Sequence, residues 1–194
     1  MTKNEYLGYC IVDSTKVKAA VAKILEAIGE DRTREGLVDT PDRIARMYER
    51  IFCGYNKLPD ITKFKAENDD LQARKCDFVS MCEHHIVPFS GVAYIAYLPD
   101  KYILGMDKLD LIVDWCASKL QLQERLTAQI ADTVMNEAQA KWCMVQTYGV
   151  HYCAKLKGNE GNFAESAIRG NKDLAGLRDE ALFMFSQLDK GNKI

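Results

Sequence analysis

Apolar residues in the first fifty positions recur at helical spacing. In DSTKVKAAVAKILEAIG (13–29), Val17, Ala20, Val21, Ile24, Leu25 and Ile28 fall at i, i+3, i+4 and i+7 intervals, which gives a helix one apolar face. Asp13 and Ser14 are capping residues at its start, and Gly29 closes it. DTPDRIARMYERIF (39–52) repeats the pattern with Ile44, Met47, Tyr48 and Ile51, and places Thr40 at the N-cap and Pro41 at the first helical position. Arg43, Arg46 and Arg50 share another face of that helix, where a solvated surface is their ordinary role.

Residues 56–75 are polar and irregular and predict a loop or connecting segment. β-favouring residues begin near Cys76 and are dense in GVAYIAYL (91–98). Helical spacing returns over 107–119 and 122–140. KWCMVQTYGVHYCAKL (141–156) predicts one long strand, and FAESAIRG (163–170) another. A last helix is expected over about 172–187, with Leu174, Leu177, Ala181 and Phe185 on one face. The order α-α-β-β-α-α-β-β-α predicts an α+β fold with a mostly antiparallel sheet. We expect an N-terminal helical extension over 1–56 and a main domain over 57–194.

Composition adds mainly exclusions. A chain of 194 residues can form one cored domain with a helical extension. The formal net charge of −2 provides no attraction to nucleic acid or to an anionic membrane surface. No apolar run approaches the ~18–20 residues that span a bilayer. The opening MTKNEYLGYC lacks the basic-then-apolar pattern of a secretory signal, so a cytoplasmic location is expected. The cysteines number seven, without a disulfide-scaffold spacing, and are expected to be reduced and mostly buried.

The chemistry concentrates in two short stretches. All three histidines, His84, His85 and His151, sit within three residues of a cysteine, in MCEHHIVPF (81–89) and VHYC (150–153). Thiolate and imidazole are the ligands zinc favours, and a catalytic zinc keeps three protein ligands and one open position. Cys82 and His85 have a C-x-x-H spacing that brings two ligands to one ion only if the chain bends between them. His151 and Cys153 share a face of the predicted strand. Together with His84 these groups exceed what a three-ligand site needs, which leaves at least one imidazole for proton transfer. Glu83 and His84 supply acid–base groups beside such a metal, whose bound water has a pKa near ~7. The C-x-x-C pairs of structural zinc ribbons and the H-x-E…P-C-x-x-C pattern of nucleotide deaminases are both absent.

These motifs resemble the GTP cyclohydrolase I family. Its C-E-H-H element stands as Cys82-Glu83-His84-His85 and its H-x-C element as His151-Tyr152-Cys153. Its Q-E-R-L-T signature runs from Gln123 to Thr127, and TPDRIARMYERIF matches its T-P-x-R helix. The likeness covers about residues 14–158, while 159–194 match poorly. It implies that Cys82, His85 and Cys153 bind Zn2+. His84, His151 and Glu83 would then serve catalysis as the imidazole ring of GTP is opened, formate is released and 7,8-dihydroneopterin triphosphate forms. Gln123 and Glu124 would recognise guanine, for which a carboxylate suits the adjacent N1–H and N2–H donors. Arg43, Arg46 and Lys108 would hold the triphosphate.

The resemblance also implies a tunnelling fold (T-fold), a four-stranded antiparallel sheet with two helices between strands 2 and 3. Subunits would join as a homodecamer with active sites between them. The chain departs from the family pattern at Asp107 (usually serine), at Leu111 and Lys157 (usually arginine) and in NEGNFAESAIRG, which replaces a Ser/Thr-rich segment. Loss of a guanidinium and gain of a carboxylate near the phosphate lysine weaken an anion site, and Lys157 keeps charge without a bidentate fork. Two alternatives follow. One is a related guanine-nucleotide hydrolase with altered phosphate or ribose specificity, or one that stops at the formamidopyrimidine. The other is a non-catalytic nucleotide-binding homologue.

Overall fold

The computed structural model describes residues 11–159, 161–171, 174 and 176–190. The opening stretch 1–10, with Cys10, lies outside them, as do positions 172 and 173 of the expected last helix. The chain divides into two compact units after Pro59.

In the first unit, α1 (Ser14–Ala27) and α2 (Thr40–Ile51) pack on one another. The Asp13 carboxylate accepts from the Lys16 backbone N–H at 3.0 Å and so caps α1. The helix α2 starts one residue earlier than expected, with Asp39 at the N-cap and Pro41 in the first turn, where a missing N–H costs nothing. Ion pairing of Lys18 with Asp42 (2.5 Å) and a hydrogen bond from Ser14 to Glu49 tie the helices together. The buried stripe is narrower than the spacing predicts. Val21, Leu25 and Ala45 are buried, whereas Ile24, Ile28 and Met47 are exposed, because two paired helices bury only a seam.

The second unit is built on one sheet. Its long strands are β2 (Gln72–Cys82), β3 (Val87–Leu98), β6 (Trp142–His151) and β7 (Asn162–Gly170), all antiparallel in that order. Helices α3 (Met106–Ala117) and α4 (Gln123–Ala138) come between β3 and β6 in the chain. A two-residue strand, β5 (Leu120–Gln121), runs parallel to the end of β2. The expected loop over 56–75 contains a short strand, β1 (Lys63–Lys65), paired with β4 (Tyr102–Leu104), and β2 begins four residues before Cys76.

Alternation along the strands explains where the core sits. Phe78, Phe89, Ala93, Ile95, Tyr97, Cys143 and Val145 face α3 and α4, which answer with Ile112, Val113, Leu126, Ile130 and Val134, all buried. At the far end of the sheet the opposite face is also covered. There Tyr94, Ala96, Leu98, Trp142 and Met144 pack with Ala181 and Phe185 of α6 (Leu177–Lys190).

The expected strand over 141–156 is overturned in its last third. Pairing ends at His151, and α5 (Tyr152–Lys155) follows as a single helical turn. Gly158, at φ +80°, lets the chain close this turn, with the Asn159 N–H reaching the Ala154 carbonyl at 3.1 Å. His151 and Cys153 therefore do not share a strand face.

Candidate metal centre and active site

The C-E-H-H stretch is the hairpin turn between β2 and β3. Cys82 pairs with Val87, so Glu83, His84, His85 and Ile86 form a four-residue loop. The Ile86 N–H donates to the Cys82 carbonyl at 2.9 Å, and Ile86 itself takes φ +53°. This tight loop supplies the bend that C-x-x-H ligation requires. The Glu83 N–H donates to the Gln121 carbonyl of β5 at 3.1 Å and anchors the turn to the sheet.

Cys82 ends β2 on the helix-facing side and is buried. Cys153 reaches the same place from the turn after β6. The side-chain donors of Cys82, His85 and Cys153 all lie within 4.8 Å of one another, and Cys82 Sγ is 3.9 Å from His85 Nδ1. Burial, followed by the neighbouring Cys82 thiol, raises Cys153 above the ordinary thiol range. A divalent cation reverses that penalty, because it takes thiols as thiolates. Two sulfurs and one imidazole at this separation fit a metal ion with room for a further ligand.

The remaining histidines lie beside this cluster in different settings. His84 is exposed on the turn, its ring 6.1 Å from that of His85. His151 ends β6, stacked on Phe89 at 4.5 Å with the planes 6° apart and edge-on to Phe163 at 5.1 Å. Its Nε2 is 2.9 Å from Gln123 Oε1. Burial lowers its pKa below the ordinary imidazole value, and the Glu124 carboxylate opposes that shift. Glu83 is held as a carboxylate by Arg125, whose guanidinium donates to both oxygens at 2.6 and 3.0 Å.

Gln123 and Glu124 open α4 but differ in exposure. Glu124 is exposed. Gln123 is buried, and its amide is occupied by Thr147, Phe163 and His151. Asp107, Lys108 and Leu111 lie on the first turns of α3. Lys108 is buried, and its Nζ is 2.8 Å from Asp107 Oδ2, a contact that depresses the Asp107 pKa. Lys157 follows α5, with Nζ 3.0 Å from His85 Nε2, and thus reaches the donor cluster. Arg43 and Arg46 are exposed on α2 of the first unit, where Arg43 pairs with Asp39 at 3.3 Å.

Sequence reasoning missed Arg125, Phe89, Thr127, Thr147 and Phe163. Arg125 stood inside the quoted Q-E-R-L-T run. Counting back from His151 in steps of two places Gly149 and Thr147 on its face, a signal the period alone carries.

Comparison with known proteins bears on this arrangement. Residues 17–175 match the family model described as GTP cyclohydrolase I. The GTP cyclohydrolase 1 of Thermoanaerobacter pseudethanolicus is 46% identical over 168 residues, covering 82% of this chain and 89% of the relative. That of Clostridium perfringens is 47% identical over 152 residues, covering 76% and 82%. A solved structure of the archaeosine synthase QueF-Like in the apo form aligns with a TM-score of 0.47 at 16% identity. It covers 55% of this chain and 98% of that one, a likeness too loose to bear on fold or function.

Proposed function

Because the chain belongs to the GTP cyclohydrolase I family, we propose that it opens the guanine imidazole ring of GTP by hydrolysis, releases formate and yields 7,8-dihydroneopterin triphosphate. The observation that carries this reading is the Cys82–His85–Cys153 donor cluster, with His84 and His151 beside it on the β2–β3 turn and the end of β6. Zn2+ is the ion we assign to these donors, and it would supply an acidified water for attack on the ring. His151 is seated to exchange a proton with a bound base, since Phe89 and Phe163 fix its plane. His84 faces solvent on the turn and is suited to carry protons to and from bulk water. Glu83, pinned by Arg125, holds a negative charge beside His84. Glu124, exposed and near enough to His151 to act on its charge, would accept the two donors of guanine.

We further assign the second unit to catalysis, in a tunnelling fold. The first unit is the helical extension, and Arg43 and Arg46 are assigned to triphosphate binding. The assembly is a homodecamer that shares its active sites between subunits, and the location is cytoplasmic. Among the described residues no helix is long and apolar enough to cross a membrane. Purified, zinc-loaded protein given GTP should release formate and give a fluorescent pterin after oxidation and dephosphorylation. Absence of both at neutral pH refutes the proposal and leaves a nucleotide-binding homologue. Light scattering tests the decamer.

One observation favours a second reading. Lys108, the phosphate lysine by resemblance, already carries its own carboxylate partner in Asp107. An internal ion pair competes with a phosphate, so the substrate would be a guanine nucleotide with fewer phosphates, or the reaction would end at the formamidopyrimidine. Turnover of GTP, GDP and GMP with product identification decides: strong preference for GTP with complete conversion excludes this reading.

A further inference from the structure

We propose that Gln123 is a positioning residue that fixes His151 as the Nε2–H tautomer and so makes Nδ1 the nitrogen that exchanges protons with the substrate. The inference deepens the proposed function and rests on it for the role of His151.

Gln123, Thr127 and Thr147 are 3%, 1% and 0% exposed, so water does not supply their partners. The Gln123 side-chain nitrogen lies 3.1 Å from the Thr147 carbonyl and 3.0 Å from the Phe163 carbonyl. Carbonyls only accept, so the NH2 end of the amide must face them and the orientation of the side chain is set. The oxygen Oε1 is then the atom 2.9 Å from His151 Nε2, and an amide oxygen also only accepts. His151 must therefore donate from Nε2.

The hydrogen-bonded chain continues away from the histidine. Thr127 donates to the Gln123 carbonyl at 2.8 Å. Its hydrogen is thereby used, so Thr147 is the donor in the 2.7 Å contact between the two hydroxyls. Thr147 Oγ1 can in turn accept from Gln123 at 3.1 Å. Every hydrogen in the chain then runs one way, from His151 through the amide and from Thr147 to α4, a mutually reinforcing arrangement.

Backbone geometry makes room for it. A Cβ on Gly149 would lie 2.8 Å from Gln123 Oε1, so a side chain at that position would push the amide off the histidine. Phe89 against one face of the ring and Phe163 at its edge oppose rotation of the imidazole out of the plane. Nothing in this network leaves the Gln123 amide available to a base. Reading of guanine thus falls to Glu124.

Neutron diffraction from deuterium-exchanged crystals of the full-length, zinc-loaded protein reads the hydrogens directly. At about pH 8, above the ordinary imidazole range, we expect deuterium on His151 Nε2 alone and two deuterons on the Gln123 nitrogen that faces Thr147 and Phe163. Deuterium on Nδ1, alone or with Nε2, overturns the inference, and this measurement needs no variant. In kinetics, Gln123→Leu should lower kcat by about 10- to 100-fold, the scale for a misplaced proton-transfer group, with KM changed less than about 3-fold. Gln123→Glu, accommodated as the neutral acid with its O–H toward the carbonyls, keeps an acceptor toward Nε2 and should recover part of kcat. A rise in KM with kcat unchanged identifies Gln123 as a guanine reader and refutes positioning. Wild type inactive on GTP would refute the proposed function while leaving the neutron result intact.

Discussion

The order of hydrogens in the buried chain makes an asymmetric prediction about two threonines in contact. Thr127 and Thr147 touch through their hydroxyls at 2.7 Å, yet they should not be equivalent to replacement by valine. In Thr147→Val, both Gln123 amide hydrogens still have a carbonyl, and Thr127 still donates to Gln123. The donation to Thr127 and the 3.1 Å contact from Gln123 are both lost, but no buried hydrogen is left without an acceptor, which holds the cost to about 0.5–1.5 kcal/mol. In Thr127→Val, the Thr147 hydroxyl keeps a hydrogen with no acceptor in a fully buried position, which costs about 1–3 kcal/mol. Valine and threonine have similar helix and strand propensities, so neither backbone biases the comparison.

Urea unfolding at one protein concentration and one zinc content reads the difference, since assembly and bound metal shift apparent stability. The double variant should cost less than the sum of the singles by about 0.5 kcal/mol or more, because it removes both hydroxyls of one contact. Thr147→Val more damaging than Thr127→Val, or strict additivity, would refute the assigned direction of the chain and weaken the case for the His151 tautomer.

Three further outcomes follow from other parts of the molecule. Elemental analysis should find one zinc per chain in the wild type and little in Cys153→Ser, because two donors on the turn hold the ion poorly without the third. Phe185→Ala removes a buried ring from beneath α6, at a cost of about 3 kcal/mol, and should speed hydrogen exchange across 177–190 by roughly 100-fold while β3 stays protected. Asp189 is held below its ordinary value of 3.8 by hydrogen bonds from Lys75 (2.7 Å) and Tyr94 (2.5 Å). A depressed carboxylate contributes stability above its unfolded pKa and loses it as pH falls through the lower folded value. The stability gap between wild type and Asp189→Asn should therefore close on acidification below about pH 4.

Much of this was legible because periodicity reports on local structure and on burial. The two N-terminal helices, α3, α4 and the strand-forming segments followed from spacing alone. The pairing of Cys82 with His85 through a bend followed from the conflict between C-x-x-H and strand alternation. What escaped depends on partners distant in the chain. The stripe of α1 looked six residues wide because spacing does not say how large a neighbour is. The strand through His151 was extended to residue 156 because Val150, Tyr152 and Cys153 suit a strand, while Gly158, which lets a helical turn close, stood beyond the window. The hydrogen bonds of the Gln123 side chain were invisible for the same reason. A glutamine near a helix start reads as a polar surface residue until the carbonyls of β6 and β7 are brought over it.

The hairpin turn that carries Cys82 and His85 has a consequence for how the protein matures. Two donors three residues apart can meet an ion at any stage of folding, even in a peptide. The third donor arrives only when β6 has zipped along β3 and delivered Cys153 across roughly 70 residues of intervening chain. An ion held at this site would thus certify that the sheet has closed in the right register, and a slipped β6 would leave it weakly bound. Such an ion would also fasten the completed sheet end, so loss of metal and fraying of β6 should promote one another.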